Sequence, residues 1–113
     1  MGRVILDTSF ILTATKQKID FFHWLELEGM EVIIPEQTIK ELKGLGAELA
    51  LKILKKNEFK IIKIRGDDAD TAIINFVKDD PEAIVATLDK GLQKKIKNKK
   101  LIIRQRKKLD VVY

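Results

Sequence analysis

Two kinds of segment alternate along the 113-residue chain. Short, unbroken apolar runs rich in β-branched residues read as buried strands: Arg3 to Leu6, Glu31 to Ile34, Phe59 to Ile64, Ala83 to Leu88 and Leu101 to Ile103. Between them the apolar residues recur at helical spacing. Asp7-Thr8-Ser9 supplies cap-type residues ahead of Phe10-Ile11-Leu12, so a helix begins there. Ile19 to Leu27 is apolar at 21, 22, 24, 25 and 27, with Gly29 beyond it as a stop. Pro35 closes the second strand and suits the first turn of a helix over Glu36 to Lys43, which should bury Ile39, Leu42 and Leu45. Gly44 and Gly46 interrupt that helix, and Ala47 to Lys56 resumes it. Gly66-Asp67-Asp68 opens a helix through Val77 with carboxylates at its positive end. Gly91 to Lys97 reads as a short basic helix, and Leu109 to Val112 as a candidate last strand.

The order is β-α-α-β-α-α-β-α-β-α-β. Strands that are apolar throughout are buried on both faces, and helices separate them. The expected fold is therefore a three-layer α/β/α sandwich around a mostly parallel, roughly five-stranded sheet. Residues 1–113 are read as a single domain.

Composition removes several kinds of chemistry. There is no cysteine, so disulfide scaffolds, zinc ribbons and thiol nucleophiles are excluded. The one histidine, His23, lies in Phe21-Phe22-His23-Trp24-Leu25, where ordinary packing or surface placement explains it. No apolar run approaches the roughly 18 residues of a membrane span, and the N-terminus lacks a signal-peptide pattern. A soluble, cytoplasmic protein is expected. The net charge is +5, from 22 basic and 17 acidic residues. Ten of the basic residues fall between Lys90 and Lys108, where no acid occurs, so the rest of the chain holds 12 basic against 17 acidic residues. An acidic body thus carries a basic C-terminal segment at about 90–108, which suits a polyanion such as nucleic acid. Lys90, Lys94, Arg104, Arg106, Lys107 and Lys108 are its candidate contacts.

In open α/β sheets the ligand site lies beyond the carboxyl ends of the strands. Two strands here run directly into an aspartate, at Asp7 and at Asp89. Either alone is a common strand terminator; two at one edge suggest a site. Asp70 shares a helical face with Ile73, Ile74 and Val77, so it projects from a core-facing stripe and needs a cap role, a cation or a metal. Asp67, three residues back, could take its place. Carboxylates converging without His or Cys make a hard-oxygen site that prefers Mg²⁺ or Mn²⁺ to Zn²⁺. Such ions beside phosphates serve phosphodiester hydrolysis. Glu41, at the edge of its helix's apolar stripe, would not be singled out by spacing.

Four segments together resemble the PIN-domain nucleases. Val4-Ile5-Leu6-Asp7-Thr8-Ser9 is similar to the family's opening strand and Asp-Thr-Ser motif. Val32 to Leu42 resembles the second strand and the helix bearing a glutamate. Ala69-Asp70-Thr71-Ala72-Ile73 and Val85-Ala86-Thr87-Leu88-Asp89 resemble the third and fourth acidic motifs. The resemblance implies a metal-dependent endoribonuclease with Asp7, Glu41, Asp70 and Asp89 as catalytic and metal-binding acids. Ser9 and Thr87 fall at its supporting polar positions, and it implies Mg²⁺ or Mn²⁺ and a homodimer. Leu88 departs from the family, many of whose members carry Asn there. Leu101 to Leu109, with its Ile-Arg-Gln segment, resembles the branch related to small-subunit rRNA-processing proteins. VapC-type toxins are the neighbouring branch, so RNA is the expected partner, with an antitoxin or a ribosome-assembly factor as a second. Two other readings fit the residues less well. A receiver domain would need two adjacent acids after the first strand, and Asp7 is followed by Thr8. A catalytically silent RNA-binding member of the fold would keep the basic segment but have no use for all four acids.

Overall fold

The computed structural model describes residues 2–113, apart from the side chain of Arg106, whose assignment to RNA contact therefore lies outside the described residues. The chain runs β1 (Arg3–Leu6), α1 (Thr8–Lys16), α2 (Phe21–Leu27), β2 (Glu31–Pro35), α3 (Glu36–Gly44), α4 (Glu48–Lys55) and β3 (Lys60–Ile62). It continues with α5 (Ala69–Lys78), β4 (Ile84–Ala86), α6 (Lys90–Lys95), β5 (Lys100–Arg104), a 3-10 turn over Gln105–Lys107 and β6 (Lys108–Val112). The strands form one sheet in the order β3-β2-β1-β4-β5-β6. All pairs are parallel except β5 with β6, which is antiparallel. The last strand thus adds a sixth to the expected five, and closes the sheet as a hairpin.

The period of two along β1 sorts the layers. Val4 and Leu6 face one side, with Phe10, Ile11, Phe21, Phe22, Leu25, Leu42 and Leu54 from α1 to α4. Ile5 faces the other, with Ile73 and Val77 of α5 and Leu92 of α6. Phe10 and Phe21 meet edge to face at 5.6 Å, and both are buried. The aromatic run on α2 is therefore core, while His23 is exposed.

Burial on both faces holds for the central strands and fails at an edge. β3 is three residues long, with Lys60 and Ile61 exposed, because nothing covers the outer side of an end strand. Leu45, expected in the core, is 64% exposed. It follows the last residue of α3, where the chain turns through Gly46 (φ +65°) into α4 and leaves the helical stripe. Gln37 and Thr38 are buried in its stead, tied to Ile64, Gly66 and Leu6 carbonyls. No helix among the described residues is long and apolar enough to cross a membrane.

The loop between β3 and α5 depends on Gly66. Its φ is +153°, and a β-carbon there would lie 2.6 Å from the Ala72 amide nitrogen. Backbone cannot retreat as a side-chain tip can. Gly66→Ala should therefore lower stability by about 1–3 kcal/mol in urea unfolding, whereas Gly2→Ala, in open space, should not.

Candidate active site

Asp7 follows the last residue of β1, and its amide donates to the Ala86 carbonyl of β4 at 2.9 Å. It occupies the position before the first turn of α1, yet its side chain makes no capping hydrogen bond. The carboxylate is instead held by two hydroxyls, Thr87 Oγ1 at 2.7 Å and Ser9 Oγ at 2.9 Å, both donating to Oδ2. Asp7 is only 3% exposed. Desolvation pushes its pKa above the ordinary carboxylate value, against the lowering effect of those hydroxyls and the Thr8 amide, and Glu41 adds a like charge.

The same hydroxyls organise the next strand's end. Ser9 Oγ accepts from the Leu88 amide at 3.1 Å, and Thr87 Oγ1 accepts from the Asp89 amide at 3.1 Å. The departure at Leu88 thus leaves the backbone contact in place. Gln93 Nε2 donates to the Thr87 carbonyl at 2.8 Å. Asp89 is exposed and caps α6, its Oδ1 accepting from the amides of Gly91 and Leu92. That is the strand-terminator role, performed with one oxygen.

Glu41 lies where periodicity gave no reason to look. Its Oε1 accepts from Thr8 Oγ1 at 2.6 Å and its Oε2 from the Ala69 amide at 2.7 Å. It therefore ties the first turn of α1 to the first residue of α5. Spacing along α3 gives no reason to single out this half-buried glutamate, and the sequence marks Thr8, in the middle of Asp-Thr-Ser, only as a cap-type residue. Asp68 is the cap of α5, accepting from the Thr71 amide at 2.8 Å, and its pKa is lowered by that bond.

Asp70 is half-buried on the first turn of α5, and among the described residues its side chain makes no hydrogen bond or ion pair. Its pKa is pushed up to about 6, first by desolvation, then by the charges of Asp7, Asp89, Asp68 and Glu41. Asp70 thus feels the other three acids together. Asp67, the alternative third acid, is exposed. Among the described residues no group of three or more acids or histidines is set to hold a metal ion as placed. Of the basic candidates, Lys90, Lys94, Lys107 and Lys108 are exposed, and Arg104 is ion-paired with Asp110.

The chain matches the PIN like domain family over residues 4–108 and belongs to it. It is similar to ribonuclease VapC4 of Methanocaldococcus jannaschii, 27% identical over 98% of this chain and 97% of that protein. It is 34% identical to rRNA-processing protein fcf1 of Schizosaccharomyces pombe over 83% of this chain, but spans only about half (53%) of that protein. Among solved structures it superposes on the PIN domain endonuclease Utp24 with a TM-score of 0.79 at 29% identity, covering 98% of this chain and 96% of that one.

The raised pKa of Asp70 has a signed consequence. A group whose folded pKa lies above its unfolded value stabilises the fold fully below 3.8, and that contribution is lost as pH rises to about 6. Asp68 and Asp80, held below the ordinary value, act at lower pH. In chelator, the melting temperature of wild type relative to Asp70→Asn should therefore fall between about pH 4 and pH 6, shallowly because Asp70 keeps solvent contact. A pH-independent difference in thermal melts would show that Asp70 does not carry the crowding.

Proposed function

We propose that this chain is a metal-dependent endoribonuclease that hydrolyses RNA phosphodiester bonds, with Asp7, Glu41, Asp70 and Asp89 as its acids. The observation that carries the reading is the hydrogen-bond network at the carboxyl edge, which joins Asp7 through Thr87 to the Asp89 amide and, through Thr8 and Glu41, ties the first turn of α1 to the Ala69 amide that precedes Asp70. Family membership and the printed names of the two relatives, a ribonuclease and an rRNA-processing protein, support it.

The donor set fits a hard divalent ion, because every candidate ligand is a carboxylate oxygen. Mg²⁺ and Mn²⁺ keep several waters and take only one or two carboxylates directly, so binding them does not require a closed cage. Asp7, Asp70 and Asp89, with Glu41 at the rim, would hold it. When bound, such an ion activates water and neutralises charge on the phosphodiester. The chain's own part is positioning. Thr87 and Ser9 aim Asp7, Glu41 fixes the start of α5 beneath Asp70, and the exposed lysines attract the polyanion.

The biological setting proposed is rRNA processing, on the 34% identity to fcf1 and the Ile-Arg-Gln segment, with a ribosome-assembly factor as partner. A VapC-type toxin ribonuclease, restrained by an antitoxin, is the second reading, favoured by the end-to-end match to VapC4.

Cleavage of a structured RNA on a denaturing gel, with Mn²⁺, tests the enzyme. Asp7→Asn should be inactive while melting no lower than wild type in EDTA, because it removes a charge and not a cap. Thr87→Val keeps the side chain's shape but loses the hydrogen bond to Asp7, and should cost roughly 10–100-fold in rate. If Asp7→Asn cleaves at the wild-type rate, the acids are a structural relic.

A further inference from the structure

Cations flank the acids on both sides of the sheet's carboxyl edge. On one side β4 pairs with β5 no further than Ala86↔Leu101, so Ile102, Ile103 and Arg104 pair with β6 alone. The hairpin therefore projects about 10 Å past the end of β4, at ~3.3 Å per residue, with Lys107 and Lys108 exposed at its tip. Arg104 in that arm already has Asp110 as a partner.

On the other side, Pro35 lies level with Asp7, two residues beyond the Ile5↔Ile33 pair, and Ile62 pairs with Pro35. Two interstrand spacings of ~4.8 Å put the end of β3 about 10 Å to the side of Asp7. Lys63 and Arg65 follow directly, both exposed, and neither makes an ion pair among the described residues. Their loop is held rigidly. Gln37 Nε2 donates to the Ile64 and Gly66 carbonyls at 2.7 and 2.8 Å, and Asn75 Nδ2 to the Arg65 carbonyl at 2.7 Å. The space beside Gly66 where a β-carbon would sit is filled by the Ala72 backbone. A fixed backbone thus presents two free cations to solvent, on the flank opposite the basic C-terminal segment.

We propose that Lys63 and Arg65 form a second phosphate-binding arm, so that a single strand of RNA crosses the carboxyl edge between this arm and the β5–β6 hairpin. The proposal rests on the reading of the acids as a ribonuclease site. The crossing from β3 to β5 is four strand spacings, about 19 Å, with Asp7 recessed in its floor. A single strand can dip into that recess, whereas a duplex holds its phosphates on a stiff cylinder. No large exposed aromatic side chain lines the crossing: the one such residue among those described, Tyr113, ends β6 at the opposite edge beside Lys99. Recognition is therefore of phosphates, indifferent to base identity.

The test is binding of an unstructured 12-nucleotide RNA in EDTA across a salt series, with phosphate-ethylation interference on the same RNA. Lys63→Gln/Arg65→Gln should reduce the slope of log K against log[salt] by about 1.4, at roughly 0.7 per contact, with an unchanged melting temperature. Lys56→Gln, at the amino edge, should leave the slope alone. Interference should vanish on one side of the cleavage position in Lys63→Gln/Arg65→Gln and on the other side in Lys107→Gln/Lys108→Gln. If wild type binds and cleaves but Lys63→Gln/Arg65→Gln keeps the full slope and pattern, the second arm is wrong and the ribonuclease reading stands. If wild type neither binds nor cleaves RNA, both fall together.

Discussion

A carboxylate taken out of water between the two central strands is the constraint on which the rest of this molecule turns. Asp7 stays ionisable at 3% exposure only because Thr87 and Ser9 replace part of its lost hydration. Those hydroxyls also hold the amides of Leu88 and Asp89, so the second acid's loop is shaped by the needs of the first. Thr8 carries the linkage to Glu41, and Glu41 carries it to the Ala69 amide at the start of Asp70's helix. One tripeptide, Asp7-Thr8-Ser9, thereby links Asp7 and Glu41 to the backbone just before Asp70 and Asp89 through hydrogen bonds of 3.3 Å or less. Removing any member would leave a buried polar group unpaired, which is why such networks behave as a unit.

The charges are arranged to the same end. Like-charged carboxylates at one rim repel, and Asp70, whose side chain makes no hydrogen bond among the described residues, has its pKa raised first by desolvation and then by those charges. Exposed cations that would relieve it for a polyanion lie on the hairpin and on the β3–α5 loop, with Lys90 beside Asp89. A cation in direct reach of an acid pairs with it, as Arg104 does with Asp110 and Arg3 with Asp80. Separation keeps both signs available.

Much of the architecture was legible because it depends on short-range pattern. Unbroken β-branched runs marked the central strands, and Asp20, Asp68 and Asp89 cap helices close to where composition put their starts. The pattern failed where burial is decided by neighbours distant in the chain. Ile61 is apolar and exposed because β3 has no outer partner, and Leu45 is apolar and exposed because a turn carries it off the stripe. The site was legible at Asp7 and Asp89, which terminate strands, and at Asp70, which interrupts an apolar face. Glu41 was not, since its reason for being there is an amide 28 residues away. Lys63 and Arg65 were hidden for the opposite reason: two scattered cations carry no signal until strand order sets them across from the basic hairpin.

The pairing of β1 with β4 has a consequence for the order in which the chain can mature. β1 is made first on the ribosome, but its neighbour on one side, centred on Val85, is made 80 residues later. Its other neighbour, β2, comes 28 residues on and can pair early. Closing a loop of 80 residues is the slow part of such a topology. Asp7 therefore gains its Thr87 hydroxyl, and Asp89 as a neighbour, only when the chain through β4 has emerged and the central sheet has closed. A nascent or truncated chain can hold β1, β2 and their helices together without assembling the acidic centre. The acidic centre is therefore a late product of folding, formed after the β1–β2 half of the sheet.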